Sequence, residues 1–269
     1  MEYQKPFVYI DTNFSPDDGL LLKMAFASFN FELVGLSANS SYMTSKRAGE
    51  NILALNVKEG LYLSVSTNLE DASQSRFDKE IFSQSVDYLE EMDAKDKLYE
   101  LASDCGRLDI VASGDLSNLV RALKEYEDLS QYIDHIFLVL RKNSKDKAYY
   151  QDLDYILSSD IDLFMIEEDF DESLKLAKDF LDKKENKDES LAKIFDEYVK
   201  MDEGEKLLNS SLLLYILECP EAFIFEELGL RVDFENKNNI SIDTSRKKNY
   251  LVNKVNKEAF FDYIKGKLC

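Results

Sequence analysis

Short apolar runs alternate along the chain with longer segments in which apolar side chains recur every three or four residues. The runs are almost uninterrupted Val, Ile, Leu, Phe and Tyr, which is typical of parallel strands buried on both faces. They predict strands at residues 7–11, 32–37, 61–65, 108–112, 135–140 and 162–166. The longer segments predict helices at 17–29, 42–55, 77–92, 116–126 and 171–181. This alternation indicates βαβ units, and hence an α/β fold with a mostly parallel central sheet flanked by helices.

The last third of the chain has a different pattern. Helical spacing continues at residues 189–200 and 205–217. Residues 230–234 and 240–243 then alternate apolar and polar positions around a polar turn, which predicts a C-terminal β-hairpin, and residues 258–268 predict a closing helix. The polar run at 182–188 is the best candidate for a domain boundary, but we interpret it as a solvated loop. We therefore expect residues 1–269 to form a single domain.

Three carboxylates lie where the first predicted strand ends and the first helix begins. Asp11 closes the strand, and the adjacent Asp17 and Asp18 open the helix. Helix capping explains an acid such as Asp17, because it accepts the free amides of the first turn. It does not explain Asp11, which faces the edge of the sheet where α/β proteins bind their ligands. Oxygen ligands suit hard ions such as Ca²⁺ or Mg²⁺, so the residues indicate a metal or polyol site.

Two familiar phosphate chemistries fit this segment less well. A phosphoryl-transfer site built on acids two positions apart requires an acid at position 13, where the chain has Asn13. A P-loop or a dinucleotide-binding turn requires glycines after the strand, and residues 14–16 read Phe-Ser-Pro.

Charge and cysteine content bear on partners and compartment. The formal net charge of −20 disfavours binding to nucleic acid or to anionic membranes. Three cysteines, at positions 105, 219 and 269, match no metal or redox motif, so we expect reduced thiols. Residues 1–6 lack the pattern of a signal peptide, and the apolar run at 212–217 is too short to span a bilayer. These features favour a cytoplasmic protein.

The segment at residues 11–18, DTNFSPDD, resembles the signature of the nucleoside hydrolase family, which is strand–Asp-x-Asp-x-Gly-x-Asp-Asp–helix. Further blocks are similar to that family in the same order along the chain, at residues 31–37, 51–55, 112–119 and 214–223. The C-terminal hairpin and helix also fit. The resemblance covers nearly the whole chain and implies one nucleoside hydrolase-like domain.

The resemblance implies a specific chemistry. In that family a Ca²⁺ ion binds the ribose diol and a water, and an Asp takes a proton from this water as it attacks the anomeric carbon through an oxocarbenium-like transition state. By position, Asp18 and the backbone carbonyl of Ser113 match metal ligands, whereas Asp17 and Asp11 are expected to bind substrate. Asn13 stands where the family has its metal-bound general base. Its amide oxygen can ligate a metal, but it cannot accept a proton near neutral pH.

Other family residues are replaced downstream. The family's His-Asp pair falls near residues 209–211, which read Asn-Ser-Ser, so one metal carboxylate and an acid for the leaving group are missing. The only histidine, His135, is interpreted as a structural residue. Because Ca²⁺ affinity follows the charge of its ligands, we expect weak Ca²⁺ binding or none. Candidates for a compensating acid are Asp202, Glu203, Glu205 and Glu218.

Three functions are compatible with these residues. The first is N-ribosyl hydrolysis of nucleosides by a rearranged catalytic set. The second is a catalytically inactive homologue that binds a nucleoside or ribose-like molecule through Asp17 and Asp11. The third is a scaffold subunit without a small ligand. The resemblance also implies a homo-oligomer.

Overall fold

The computed structural model describes residues 5–70, 81–82, 89–142, 146–176, 188–201, 206–235 and 239–268. Eight of the strands in these ranges form one sheet with the order β3-β2-β1-β4-β5-β6-β10-β7, in which only the β10–β7 pair is antiparallel. They are β1 (Phe7–Thr12), β2 (Glu32–Ala38), β3 (Val65–Thr67), β4 (Leu108–Ala112), β5 (Ile133–Leu140), β6 (Asp162–Glu167), β7 (Phe223–Leu228) and β10 (Asn249–Val255). A separate antiparallel hairpin consists of β8 (Leu230–Asp233) and β9 (Asn239–Ile242).

Helices connect these strands and cover both faces of the sheet. They are α1 (Pro16–Phe26), α2 (Ser45–Lys58), α3 (Ala94–Cys105), α4 (Ser117–Glu125), α5 (Lys147–Leu157), α6 (Glu189–Lys200), α7 (Asn209–Glu218) and α8 (Lys257–Leu268). The expectation of a single α/β domain with a mostly parallel central sheet, a C-terminal β-hairpin and a closing helix is confirmed.

Two hydrophobic cores lie on opposite faces of the sheet. On one face α1, α2, α6, α7 and α8 pack together, and on the other face α3, α4 and α5 pack with the C-terminal hairpin. Helix α1 is buried along almost its whole length, from Pro16 to Ala25, and contacts α6, α7 and α8 as well as the sheet. Its amino-terminal turn therefore meets the carboxyl edge of the sheet inside the protein, which places the acids of residues 11–18 below the surface.

Some predicted elements are displaced. The third strand is at Val65–Thr67, not at 61–65, because the backbone before it is used to end α2. There the Leu61 amide donates to the carbonyl of Asn56 (3.0 Å), and the Asn56 side chain donates to the carbonyl of Leu63 (2.8 Å).

The helices predicted at 171–181 and 77–92 are not found in the described parts of those segments. Residues 171–176 form a turn, in which the Asp171 carboxylate accepts the Ser173 amide (3.0 Å), and 177–181 lie outside the described residues. The helix predicted at 77–92 also lies largely outside them, and its described positions 81–82 and 89–92 are not helical. Helices α3 and α5 and strands β7 and β10 were not predicted.

None of the helices in the described ranges combines the length and the apolar character that crossing a bilayer requires. Cys105 and Cys219 are free thiols, and Cys269 lies outside the described ranges.

Candidate functional site

The turn between β1 and α1 is held by short-range side-chain hydrogen bonds. The side-chain oxygen Oδ1 of Asn13 accepts the backbone amide of Ser15 (2.9 Å). Phe14 adopts a left-handed conformation (φ 56°), which is uncommon for a residue with a side chain. Ser15 caps α1 by accepting the Asp18 amide (3.2 Å), while the Asp18 carboxylate accepts the Ser15 amide (3.0 Å). This reciprocal capping box fixes the start of the helix. The chain thus turns sharply without a glycine and carries Asn13 to the end of β1.

Asp11 is buried at the carboxyl end of β1, and its carboxylate accepts three side-chain hydrogen bonds. The donors are the Ser37 hydroxyl (2.5 Å), the Asn118 amide (2.9 Å) and the Asn39 amide (3.4 Å). Burial raises the pKa of Asp11 to about 7, although these three donors oppose the rise. Asp11 therefore joins β1 to the end of β2 and to the first turn of α4.

Asp17 binds the amino terminus of a helix that is distant in sequence. Its carboxylate accepts the Ser210 amide (2.6 Å), the Ser211 hydroxyl (2.7 Å) and the Ser211 amide (3.3 Å). Helix α7 has no side-chain cap of its own at Leu208, so Asp17 serves as its cap. Both carboxylate oxygens are engaged in these bonds. Burial, together with the neighbouring charge of Asp18, raises the pKa of Asp17 to about 7.

Asp18 has one engaged and one unengaged carboxylate oxygen. Oδ2 accepts the Ser15 amide, whereas Oδ1 is buried and has no hydrogen-bond partner among the described residues. The side-chain oxygen of Asn118 is likewise buried and has no hydrogen-bond partner among the described residues. Buried acceptors without partners are rare in folded proteins, and each requires an explanation such as a bound water, an ion or a ligand.

Ser41 connects Asn13, in the turn after β1, to Arg141 at the rim of the site. Its hydroxyl oxygen accepts the Asn13 side-chain amide (2.7 Å) and an Nη2–H of Arg141 (3.2 Å), which follows β5 directly. The Arg141 guanidinium also lies over the ring of Tyr149, 5.5 Å from its centroid. A polar path therefore runs from the turn after β1, through Ser41, to a cation at the end of β5.

Ser113 lies beside Asp11 at the end of β4, and its amide donates to the Asp11 carbonyl (3.0 Å). The next residue, Gly114, leaves room for the Asn39 side chain, since a Cβ there would be 2.1 Å from the Asn39 carbonyl oxygen. The close approach allows Asn39 to reach both Asp11 and the amide of Asp115 (3.4 Å).

The structure thus brings Asp11, Asn13, Asp17, Asp18 and Ser113 to one edge of the sheet, where β1 and β4 end. Within the part of the chain that the structure describes, no three His, Cys, Asp or Glu side chains form a cluster that could hold a metal ion.

Two other singled-out residues lie elsewhere. Glu218 is at the far end of α7 from Ser210, where its carboxylate binds Lys267 (2.8 Å) and Tyr263 (3.0 Å). His135 is near the start of β5, bonded to Asp109 (2.7 Å), and this bond raises its pKa. The other candidate acids, Asp202, Glu203 and Glu205, are outside the described ranges.

Ser37 and Arg141 were not singled out from the sequence, and Ser211 was noted only as part of a segment in which family residues are replaced, not as a partner of Asp17. Ser37 and Arg141 have a detectable signal, because each occupies the carboxyl end of a strand that was predicted close to its observed place. Ser211 has no such signal, because its contact with Asp17 joins residues 194 positions apart.

This architecture is the nucleoside hydrolase fold. The chain is similar to the inosine-uridine preferring nucleoside hydrolase from Bacillus anthracis, with a TM-score of 0.83 and 15% identity over 97% of this chain and 98% of the other. It is also similar to the purine-preferring ribonucleoside hydrolase from Gardnerella vaginalis, with a TM-score of 0.80 and 18% identity over 97% of each chain. A plant nucleoside hydrolase, PpNRh1, gives a TM-score of 0.80 and 15% identity over 97% of this chain and 98% of the other. No family model and no curated protein sequence matches the chain.

Proposed function

We propose that this protein is a nucleoside hydrolase-like binding protein, which holds a nucleoside or another ribose-like molecule at the carboxyl edge of its sheet without calcium-dependent hydrolysis. The engagement of Asp17 is the observation against the family's hydrolytic chemistry, whereas binding rests on the buried acceptors Asp18 Oδ1 and Asn118 Oδ1, which have no partner among the described residues. The carboxylate that the family resemblance assigns to ribose hydroxyls here accepts three hydrogen bonds from the first turn of α7.

The residue at the general-base position supports the same conclusion. Asn13 has an amide in place of a carboxylate, and both ends of this amide are engaged, the oxygen with the Ser15 amide and the nitrogen with the Ser41 hydroxyl. An amide does not take a proton from water near neutral pH. Loss of a positioned base typically lowers a rate by about 10²–10⁴-fold.

The donor set argues against a Ca²⁺ site of the family type. Ca²⁺ prefers about six to eight oxygen ligands, several of them charged. Among the residues assigned to the metal, Asp18 Oδ1 is the one carboxylate oxygen without a protein donor, and the Ser113 carbonyl is neutral. Ser210 and Ser211 stand where the family has a further acid. We propose that Ca²⁺ binds weakly or not at all.

Ligand binding is supported by the acceptors that the protein leaves unpartnered. Asp18 Oδ1 and Asn118 Oδ1 are buried near the end of the sheet where α/β folds bind ligands, and sugar hydroxyls are donors of matching chemistry. Binding of a ribose-like molecule would satisfy them.

The test combines a turnover assay with a binding assay on the full chain. Hydrolysis of an activated aryl riboside is measured with Ca²⁺ and then with a chelator, and binding of ribose, uridine and inosine is measured by calorimetry. The site variant is Asp18→Asn, which keeps an acceptor for the Ser15 amide, and the matched control is Asp262→Asn on the exposed face of α8. We expect saturable binding that Asp18→Asn weakens, with no turnover. Turnover that requires both Ca²⁺ and Asp18 would overturn the proposal, and absence of binding would favour a scaffold.

A further inference from the structure

Arg141 is held in a fixed position at the rim of the site. One Nη2–H donates to Ser41, and the guanidinium lies 5.5 Å from the centroid of the Tyr149 ring. Tyr149 is itself immobilised, since it is buried and its hydroxyl bonds the Val139 carbonyl (3.1 Å) and the Arg141 amide (2.9 Å). Holding a long side chain in place in advance reduces the entropy that ligand binding would otherwise cost.

The charge of Arg141 is not paired. It forms no ion pair within 4.0 Å with any described residue. Partial burial raises the pKa of the Glu168 carboxyl, and the charge of Arg141 opposes this rise without an ion-pair contact. Four other arginines pair with acids, as Arg47 with Glu50, Arg107 with Asp134, Arg121 with Asp93 and Arg246 with Asp154. Arg231 in the separate hairpin also forms no ion pair among the described residues, and its Nε–H donates to the Ser241 hydroxyl (3.4 Å). Of these two arginines without an ion pair, Arg141 is the one at the carboxyl edge of the main sheet, next to the candidate site.

The position of this charge relates it to the acids of the site. The Ser41 hydroxyl oxygen accepts hydrogen bonds from Arg141 Nη2 (3.2 Å) and from Asn13 Nδ2 (2.7 Å). These two nitrogen atoms are therefore at most about 6 Å apart. A ligand whose sugar lay beside Asn13 would therefore present its substituents to Arg141. The remaining guanidinium N–H groups form a planar fork that matches the oxygens of a phosphate.

We propose that Arg141 makes this site selective for a phosphorylated ribose-like ligand, such as a pentose phosphate or a nucleoside monophosphate, over the corresponding neutral molecule. This rests on the proposed binding of a ribose-like ligand. Arg141 reads the phosphate, and the groups around Asn13 and Asp18 read the sugar. The overall negative charge repels anions at long range, so the local cation is what makes binding of such a ligand favourable.

Calorimetry on the full chain tests the assignment with ribose, ribose 5-phosphate, uridine, uridine 5′-monophosphate and inorganic phosphate. We expect each phosphorylated ligand to bind about 10- to 100-fold more tightly than its neutral counterpart, as charge-assisted hydrogen bonds provide. Arg141→Gln should abolish this difference, which is measured as the ratio of the affinities of the phosphorylated and the neutral ligand for the same variant. Arg141→Lys keeps the charge without the fork and should retain part of the difference. The control is Arg107→Gln, which removes an exposed guanidinium just before the amino end of β4, away from the site. This variant should retain the full difference between phosphorylated and neutral ligands.

The outcomes separate this inference from the proposed function. Equal binding of neutral and phosphorylated ligands would overturn the role of Arg141 while supporting a ribose-binding site. A preference for phosphate that survives in Arg141→Gln would also overturn it, as would inorganic phosphate binding as tightly as ribose 5-phosphate. If none of the ligands binds, both proposals fail.

Discussion

The Asp17 carboxylate accepts the backbone amide of Ser210 at 2.6 Å, across 193 positions of sequence. Asp17 lies in the first turn of α1 and caps α7, so one negative charge is close to the amino termini of two helices. Both helix dipoles favour a negative charge at that place, although burial outweighs them and raises the pKa of Asp17. The contact therefore stabilises the packing of two buried helices while it engages a carboxylate that the family resemblance assigns to substrate.

Asp17→Ala should destabilise the protein by about 1–3 kcal/mol, because the substitution removes a helix cap and leaves buried amides without acceptors. The measurement is the free energy of unfolding in urea. The control is Asp262→Ala on the exposed face of α8, which should change stability by less than about 0.5 kcal/mol. Equal stability of the two variants would contradict a capping role for Asp17.

The protonation of Asp11 and Asp17 predicts a pH dependence of stability. Both groups have a pKa of about 7 in the folded protein, above the ordinary value of 3.8 for an aspartate, so between these values the folded state holds more protons than the unfolded state. The stabilisation is fully present below about pH 4 and is lost as pH rises through about 7. Urea unfolding from pH 4 to pH 8 measures it. Asp11→Asn should flatten the curve relative to the unsubstituted chain, and parallel curves would rule out the raised pKa of Asp11.

Gly114→Ala should destabilise the site, because the new Cβ would lie 2.1 Å from the Asn39 carbonyl oxygen. Asn39 would have to move away from Asp11, and we expect a loss of about 1–3 kcal/mol, as for other overpacked positions. Gly266→Ala in α8 is the matched control, since nothing lies within 4 Å of its Cβ. In a helix that change should stabilise by about 0.5–1 kcal/mol. Thermal unfolding of both variants gives the comparison, and a Gly114→Ala protein as stable as its parent would show that Asn39 is not held in place.

Asn13→Asp alone should not produce a calcium-dependent hydrolase. The substitution supplies a carboxylate at the position that the family resemblance assigns to the general base, but the resemblance also places a metal carboxylate near residues 209–211, which read Asn-Ser-Ser. We expect aryl riboside turnover at the background rate with and without Ca²⁺, and no thermal stabilisation by Ca²⁺. Appreciable Ca²⁺-dependent turnover in this single variant would show that an acid elsewhere completes the site.

The parallel sheet could be predicted because its strands are continuous apolar runs, and β4 and α6 have the predicted bounds. β7 and β10 were missed because only one face of each is buried in part, so Glu226, Glu227 and Lys254 interrupt the apolar pattern. Helix α3 carried signals that could have been used, namely the Asp93 cap and Gly106 in a left-handed conformation at its end.

The candidate site was predictable as far as local sequence specifies it. Asp11, Asn13, Asp17 and Asp18 follow one strand within eight residues, so their common location follows from the fold. Their hydrogen-bond partners do not, because they come from the ends of other strands and from the start of α7. Whether a carboxylate faces a ligand or a helix terminus depends on packing between segments almost 200 residues apart.

The burial of α1 has a consequence for how the chain is made. This helix is synthesised before the helices that cover it, because α6, α7 and α8 follow all of the strands β1 to β6 in the chain. Until those segments leave the ribosome, the apolar side chains of this helix of 11 residues are not fully buried. Incompletely synthesised chains therefore expose an apolar surface that is prone to aggregation. The proposed ligand site becomes complete only after α7 has been synthesised, because α7 holds Asp17 in place. Binding at this site, where the proposal holds, would therefore require that α7 has been made and has folded onto α1.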